Sequence, residues 1–353
     1  MNKFLVGGAV RDQMLGKEPK DFDWVVVGSS VGDMIDKGYE QVGKDFPVFI
    51  DDKGDEIALA RIERKVGFGH DGFECDANSQ VTLEQDLQRR DLTINAMAMD
   101  AEGNLIDPYN GMEDIQNGCL RHVSEAFEED PLRVLRIARF AARLGFDIHY
   151  STRELMVKMV DRGDLDHLTP ERVWSEIERA LGEFDPMAFF WALEDVGALA
   201  KIFPYDKLRF SILDSIAHAD PTITFASFFR NIKNEGGVLV DEVCRTLKIP
   251  NSFKKAALNV TKWSELFDAK HPNPTTIVKL FKKGFLNNDK EFEELVMTLA
   301  HVRSFRNVKI LRKVRYKLKK LDMKAITHKQ SNPKQAVVDA MLDTVKSMMK
   351  REL

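Results

Sequence analysis

The sequence predicts an α+β fold, in which a small mixed head precedes a long all-helical region. Two observations carry this. Short apolar runs of strand type, separated by glycines and Asp/Asn clusters, are confined to roughly the first hundred residues. From about residue 125 the texture changes to 3.6-residue periodicity, and from Ser211 to Leu353 only helical patterns remain. Those are broken by Pro221, Gly236-Gly237, Pro250 and Pro272/Pro274.

The strand runs come in order. Lys3–Val6 is the first, Trp24–Val27 the second and Pro47–Ile50 the third; Glu56–Ala60 is a fourth and Asn104–Ile106 a short fifth. Asp51-Asp52-Lys53-Gly54 reads as a hairpin turn between the third and fourth. Val66–Gln80 holds three glycines and no periodicity, which predicts a mobile loop. Pro131–Leu144 then shows helical periodicity, with Asp130 as N-cap, Pro131 in the first turn and Gly145 as the stop. Thr169-Pro170 opens a helix through Leu181, and Asp185-Pro186 opens the next.

At 353 residues the chain is too long for one ordinary core, so two or more packed units are expected. A hydrophobic content of 44% with 31% charged residues is ordinary for a globular protein. The formal net charge of -4 does not exclude a nucleic-acid partner, because binding depends on where positive charge clusters. Cys75, Cys119 and Cys244 lie far apart, which argues against a zinc site or a disulfide framework and fits a reducing compartment. The N-terminal segment turns polar too early for a signal peptide, and no apolar run approaches membrane-spanning length. A cytoplasmic protein with no membrane partner is the expectation.

The first chemical motif is Gly7-Gly8-Ala9-Val10-Arg11-Asp12, followed by Asp21-Phe22-Asp23-Trp24. Two glycines between a strand and a helix let backbone approach a triphosphate, and Arg11 adds positive potential. On a strand, Asp21 and Asp23 share a face while Phe22 points into the core. Two such carboxylates repel unless a cation lies between them, and magnesium suits all-oxygen ligation in a two-metal phosphoryl transfer. An ordinary turn and solvated strand-end charges account for either half alone; their close succession favours chemistry. Arg89-Arg90-Asp91 binds phosphate and ribose in one reading and forms a surface ion pair in the other. Arg133, Arg136 and Arg139 step by three along the third motif, with no acid after Asp130 to neutralise them.

These motifs together, VGGAVRD, DFDWVVVG, RRDLTINAMA, EDPLRVLRIARFAARLGF and TPERVWSEIERAL, resemble the bacterial class II tRNA nucleotidyltransferases, the CCA-adding enzymes. The resemblance covers roughly the first 200 residues. It implies a polymerase-β-like catalytic head over 1–125, a helical neck over 126–200 that recognises the base, and a helical body and tail over 201–353 that bind tRNA, in a curved shape. It implies that Asp21 and Asp23 bind Mg2+, with Glu56 as a candidate third carboxylate. Gly8, Arg11, Arg90, Asp91, Arg136 and Arg139 match positions that bind ATP or CTP, and Asp130 and Arg133 match the pair that reads the base. No protein partner is implied. A poly(A) polymerase shares the head motifs but usually carries a long basic extension that is not seen here; an enzyme adding only CC or only A is the other alternative. Some relatives carry a phosphohydrolase domain with paired His-Asp ligands. Here Phe229-Arg230-Asn231-Ile232 stands where that pair belongs, and the sole His-Asp is His70-Asp71. No such hydrolase is expected.

A last signal lies between Arg303 and Lys320, where nine Lys or Arg residues occur without an acid. Val308, Leu311, Val314 and Leu318 recur at helical steps, so one face packs and the rest stays basic. Arg312, Lys313 and Arg315 are the candidate tRNA contacts, against the plainer reading of a solvated helix.

Overall fold

The computed structural model describes residues 1–42, 48–50, 54–65, 73–203, 220–230, 232, 236–263, 266, 272–300, 305–328 and 330–352. It divides into two compact units, Met1–Pro204 and Tyr205–Leu353.

The first unit is built on a seven-stranded sheet. Its strands are β1 (Asn2–Val6), β2 (Asp23–Val27), β3 (Glu40–Gln41), β4 (Val48–Ile50) and β5 (Glu56–Leu59), with β8 (Ala98–Met99) and β9 (Leu105–Ile106) at one edge. The order is β3-β4-β5-β2-β1-β8-β9, with β2 and β5 parallel and the other pairs antiparallel. Each predicted strand is present, within a residue or two of its expected ends. Alternation along β2 sends Val25 and Val26 to opposite faces, and both faces are covered. One side packs Val6, Val25 and Ala98 against Val81 and Leu87. The other packs Val26, Phe49, Ile57 and Leu59 against Met34. Each such buried side chain contributes about 1.5–3 kcal/mol of hydrophobic stabilisation.

Two expectations fail here. Phe22 is 39% exposed and not in the core, because β2 begins at Asp23 and strand alternation does not reach back to residues 21 and 22. Phe73–Asp76 (β7) is a strand paired antiparallel with Ile62–Lys65 (β6), inside the stretch read as a loop; the flanking glycines hid its short pattern. Residues 66–72 of that stretch lie outside the described residues, as do Asp51, Asp52 and Lys53 of the expected turn.

The helices of this unit form as their caps dictate. Asp130 Oδ1 accepts from the Leu132 amide at 3.1 Å, and Gly145 at φ 69° closes the helix Leu132–Leu144. That helix turns Leu132, Val134, Leu135, Ile137 and Ala138 inward and packs on helices Pro170–Leu181 and Pro186–Asp195. Asp185 caps the last of these through the Met187 and Ala188 amides.

In the second unit every described element is helical. Phe225 meets Phe228, Phe229 and Phe253 edge to face, with ring centroids 5.3–5.9 Å apart. Of the Phe-Arg-Asn-Ile run, Phe229, Arg230 and Ile232 are buried core residues; Asn231, like His70-Asp71, lies outside the described residues.

Candidate active site in the head

A cavity of about 520 Å³ opens beside the Gly7-Gly8 turn. Gly7, at φ +71°, caps the helix Gly8–Met14 in a conformation that costs most residues but not glycine. A Cβ at Gly7 would stand 2.9 Å from Arg90 Nη1, whereas one at Gly8 would make ordinary contact with Arg11 at 3.5 Å. The close approach is therefore carried by Gly7, although Gly8 also lines the cavity.

Eight arginines line this space: Arg11, Arg61, Arg89, Arg90, Arg133, Arg136, Arg143 and Arg172. Among the described residues, three carboxylates, Asp23, Asp91 and Asp130, share it. Such an excess of guanidinium, whose planar fork pairs with phosphate oxygens, suits a polyphosphate. Most of these groups are held from behind. Arg11 is buried and donates to Asn95 Oδ1 at 2.6 Å and to Asp12 Oδ1 at 2.8–2.9 Å. Burial draws the Arg11 guanidinium below its ordinary pKa, and the bond to Asp12 partly restores it. Arg136 donates Nε and Nη2 to Asp91 Oδ2 at 3.0 and 2.6 Å, while Asn95 and the Leu92 amide bind Asp91 Oδ1. Burial alone would raise the Asp91 pKa; the charge and hydrogen bonds of Arg136 and Asn95 outweigh it and hold the carboxyl well below the usual range.

Arg133 donates to the carbonyls of Ala126 and Arg89 at 2.6 and 2.7 Å. Asp130 accepts from Arg172 at 2.8 Å in addition to its capping bond. Both base-reading candidates are thus fixed at the cavity wall. Arg139 is not there. It is buried against Glu176 at 2.6 Å, because six residues carry it about 120° around the helix from Arg133. Phe140 and Arg143, at the seven- and ten-residue steps, take the cavity side instead. Arg143 was legible from that step; Arg172 comes from another element, inside a quoted motif that assigned it no role, and Arg61 carries no local signal.

The carboxylates meet at the end of the sheet. Asp23 opens β2 in register with Glu56, which opens the parallel neighbour β5. Adjacent strands lie about 4.8 Å apart, so two like charges stand side by side and favour a cation between them. A second cavity, of about 300 Å³, is lined by both of these together with Arg61, Arg89 and Arg90. Asp21 is exposed, two residues ahead of the strand and off both cavity walls. Among the described residues no group of three His, Cys, Asp or Glu is gathered into a metal cage. The all-oxygen pair Asp23–Glu56 nevertheless fits a hard divalent cation, for which water and substrate oxygens would supply the remaining ligands.

The candidate grip in the second unit is altered by its neighbours. Arg312 and Lys313 are exposed on the helix Phe305–Lys319. Arg315 is not: it is buried, donates Nε to the Phe285 carbonyl at 2.8 Å, lies over the Phe292 ring and pairs with Asp289. It does not face a polyanion. Nor is the run unneutralised, since Arg312 pairs with Glu293 and Lys319 with Asp289 on the helix Asp289–Ala300. Acids distant in sequence supplied what the local run lacked. Arg303 lies outside the described residues.

Fold and cavity together give an arginine-lined head whose charge suits a polyphosphate, as a nucleotidyltransferase requires. Residues 3–121 match the family model described as the poly A polymerase head domain, and 145–207 match the probable RNA- and SrmB-binding site of polymerase A. Residues 3–121 belong to that head-domain family, and the chain carries the fold of the CCA-adding enzymes. It is similar to a CCA-adding enzyme solved with CTP (TM-score 0.70, 21% identity, 99% of this chain and 89% of that one). It is also similar to the Bacillus stearothermophilus CCA-adding enzyme in complex with CTP (0.66, 22%, 99% and 93%). The Thermotoga maritima CCA-adding enzyme complexed with tRNA is a third such structure (0.64, 21%, 99% and 87%). Among the described residues no helix is long and apolar enough to cross a membrane.

Proposed function

We propose that the chain is a template-independent tRNA nucleotidyltransferase, adding CMP, CMP and AMP to the 3′ end of tRNA from CTP and ATP in the cytoplasm. The observation that carries this is an arginine-lined cavity that shares Asp23 with a smaller neighbouring cavity, where Asp23 stands in register with Glu56. Arg11, Arg90, Asp91 and Arg136 hold the triphosphate and sugar there, with Gly7 and Gly8 giving the room. Arg139 supports this wall from within through Glu176. Asp23 and Glu56 are the residues that would hold Mg2+, which would supply charge neutralisation at the transferring phosphoryl group; Asp21, exposed and off both cavity walls, is not gathered with them.

Base choice follows from Asp130 and Arg133. A carboxylate accepts from an exocyclic amino group, and a guanidinium donates to a ring nitrogen. Cytosine and adenine both offer that pair on their Watson–Crick edges; uracil and guanine offer the reverse. A mismatched buried contact costs about 1–3 kcal/mol, which amounts to roughly ten- to hundredfold rejection. Asp130→Ala should therefore narrow discrimination against UTP and GTP by about tenfold, more than it lowers CMP turnover. Unchanged selectivity in single-triphosphate assays would leave Asp130 as a helix cap and nothing more.

The relatives' complexes with CTP and with tRNA support this reading, and Arg312 and Lys313 are retained as tRNA contacts. The ion pair of Arg312 is exposed and worth about 0–1 kcal/mol, so a phosphate exchanges for Glu293 readily. The head-domain match also admits a poly(A) polymerase. Incubation with tRNA lacking its 3′ end and each triphosphate singly separates the alternatives. Full CCA addition predicts CMP incorporation first and AMP only after two CMP. Extended AMP tails from ATP alone would mean poly(A) synthesis, and a halt after CC or a need for preformed CC would mean a partial enzyme.

A further inference from the structure

One buried carboxylate lies behind both cavities and touches neither. Asp86, on the helix Leu83–Gln88, is fully buried. Its Oδ1 accepts from Arg89 Nη2 at 2.6 Å, Arg89 Nε at 3.2 Å and the Arg61 amide at 3.3 Å; its Oδ2 accepts from Arg90 Nη2 at 3.1 Å. Arg89 Nε also reaches the Arg61 carbonyl at 3.1 Å, and the Arg89 carbonyl receives Arg133. Burial would raise the Asp86 pKa, but the charges of Arg89 and Arg90 prevail and keep it ionised.

The three arginines tied to Asp86 are the ones shared by the two cavities. Arg61, Arg89 and Arg90 line the large space and also the smaller one that contains Asp23 and Glu56. They therefore stand at the boundary between the polyphosphate grip and the strand-end carboxylates. Arg90 Nε is buried there without a hydrogen-bond partner, an uncommon state for a charged donor and one that a ligand oxygen would relieve.

We propose that Asp86 is a positioning residue, setting Arg61, Arg89 and Arg90 where the reacting end of a nucleoside triphosphate meets Asp23 and Glu56. This rests on the reading of the cavity as a triphosphate site. Removing the Asp86 charge leaves the cavity at least as positive as before, so anion affinity persists. What is lost is the direction in which the guanidiniums point, and that loss falls on turnover.

Three measurements on Asp86→Asn test this, with folding followed by circular dichroism. Against the parent, Kd for inorganic tripolyphosphate and KM for CTP should change less than about threefold, while kcat falls at least about tenfold. The phosphorus NMR resonance of the terminal phosphate of bound tripolyphosphate should move, a readout that needs no catalysis. Asp86→Glu keeps the charge and should give a kcat between those of the parent and the Asn variant. The proposal is overturned by parent-like kcat, by parallel loss of tripolyphosphate binding and kcat, or by an unmoved resonance. Should Asp86→Asn fail to fold, a parent-like kcat in Asp86→Glu overturns it. A parent that binds tripolyphosphate but extends no tRNA would sink the tRNA reading alone, and the resonance would still decide the role of Asp86.

Discussion

Replacing Asp23 with Asn is expected to lower CMP and AMP incorporation by about a thousandfold while leaving tRNA affinity within about twofold. Asp23 is the one carboxylate common to both cavities and is paired in register with Glu56. Asn keeps the shape of the side chain and one acceptor oxygen but removes the charge that attracts a divalent cation. A cation at that position is worth several kcal/mol of transition-state stabilisation, and each 1.36 kcal/mol is tenfold in rate. The arginine wall is untouched, so substrate still binds. Primer-extension rates and filter binding on the same preparation check both halves. Near-normal extension by the Asn variant would remove Asp23 from the catalytic centre.

The second large effect is on stability. Asp91→Asn should destabilise the first unit by about 1–3 kcal/mol, because it strips the counter-charge from Arg136, whose side chain is 34% exposed and partly solvated. The same pair gives the effect a pH signature. The folded pKa of Asp91 is depressed, so its stabilisation is present above the unfolded value and is lost as pH falls. The urea midpoint of the parent should therefore decline as pH drops below about 4, the unfolded carboxylate value, and the variant should lose this component of the decline. Identical acid slopes for parent and variant would show that Asp91 adds nothing through its charge.

Much of the first unit was legible because its signals are local. Strand runs, Asp130 as a cap, Gly145 as a stop and the Pro170 and Pro186 starts each act within a few residues. The site was legible only as far as motifs reach. Arg11, Arg90, Asp91, Asp130, Arg133 and Arg136, drawn from separate motifs, line one cavity. Arg139 was misplaced because a three-residue step drifts around a helix, while the seven-residue step to Phe140 does not. Arg61 joins the cavity through tertiary contacts alone; Arg172 lay within a quoted motif but had no role there, and Asp86 meets Arg89 and Arg90 at three- and four-residue spacing that passes for an ordinary helix ion pair. Arg315 shows the same limit in reverse: its charge looked open until Asp289 and the Phe285 carbonyl, both remote in sequence, covered it.

Among the described residues lining the large cavity all the basic groups are arginines, and none is lysine or histidine. An arginine does not give up its proton at any pH at which proteins stay folded. The grip is thus a permanent fixture, which neither alkaline medium nor acetylation of amines will relax. Competing oxyanions are a different matter, and sulfate or phosphate in a buffer will occupy it in proportion to concentration. An alkaline limb in a pH profile of nucleotide transfer would then have a source other than these arginines.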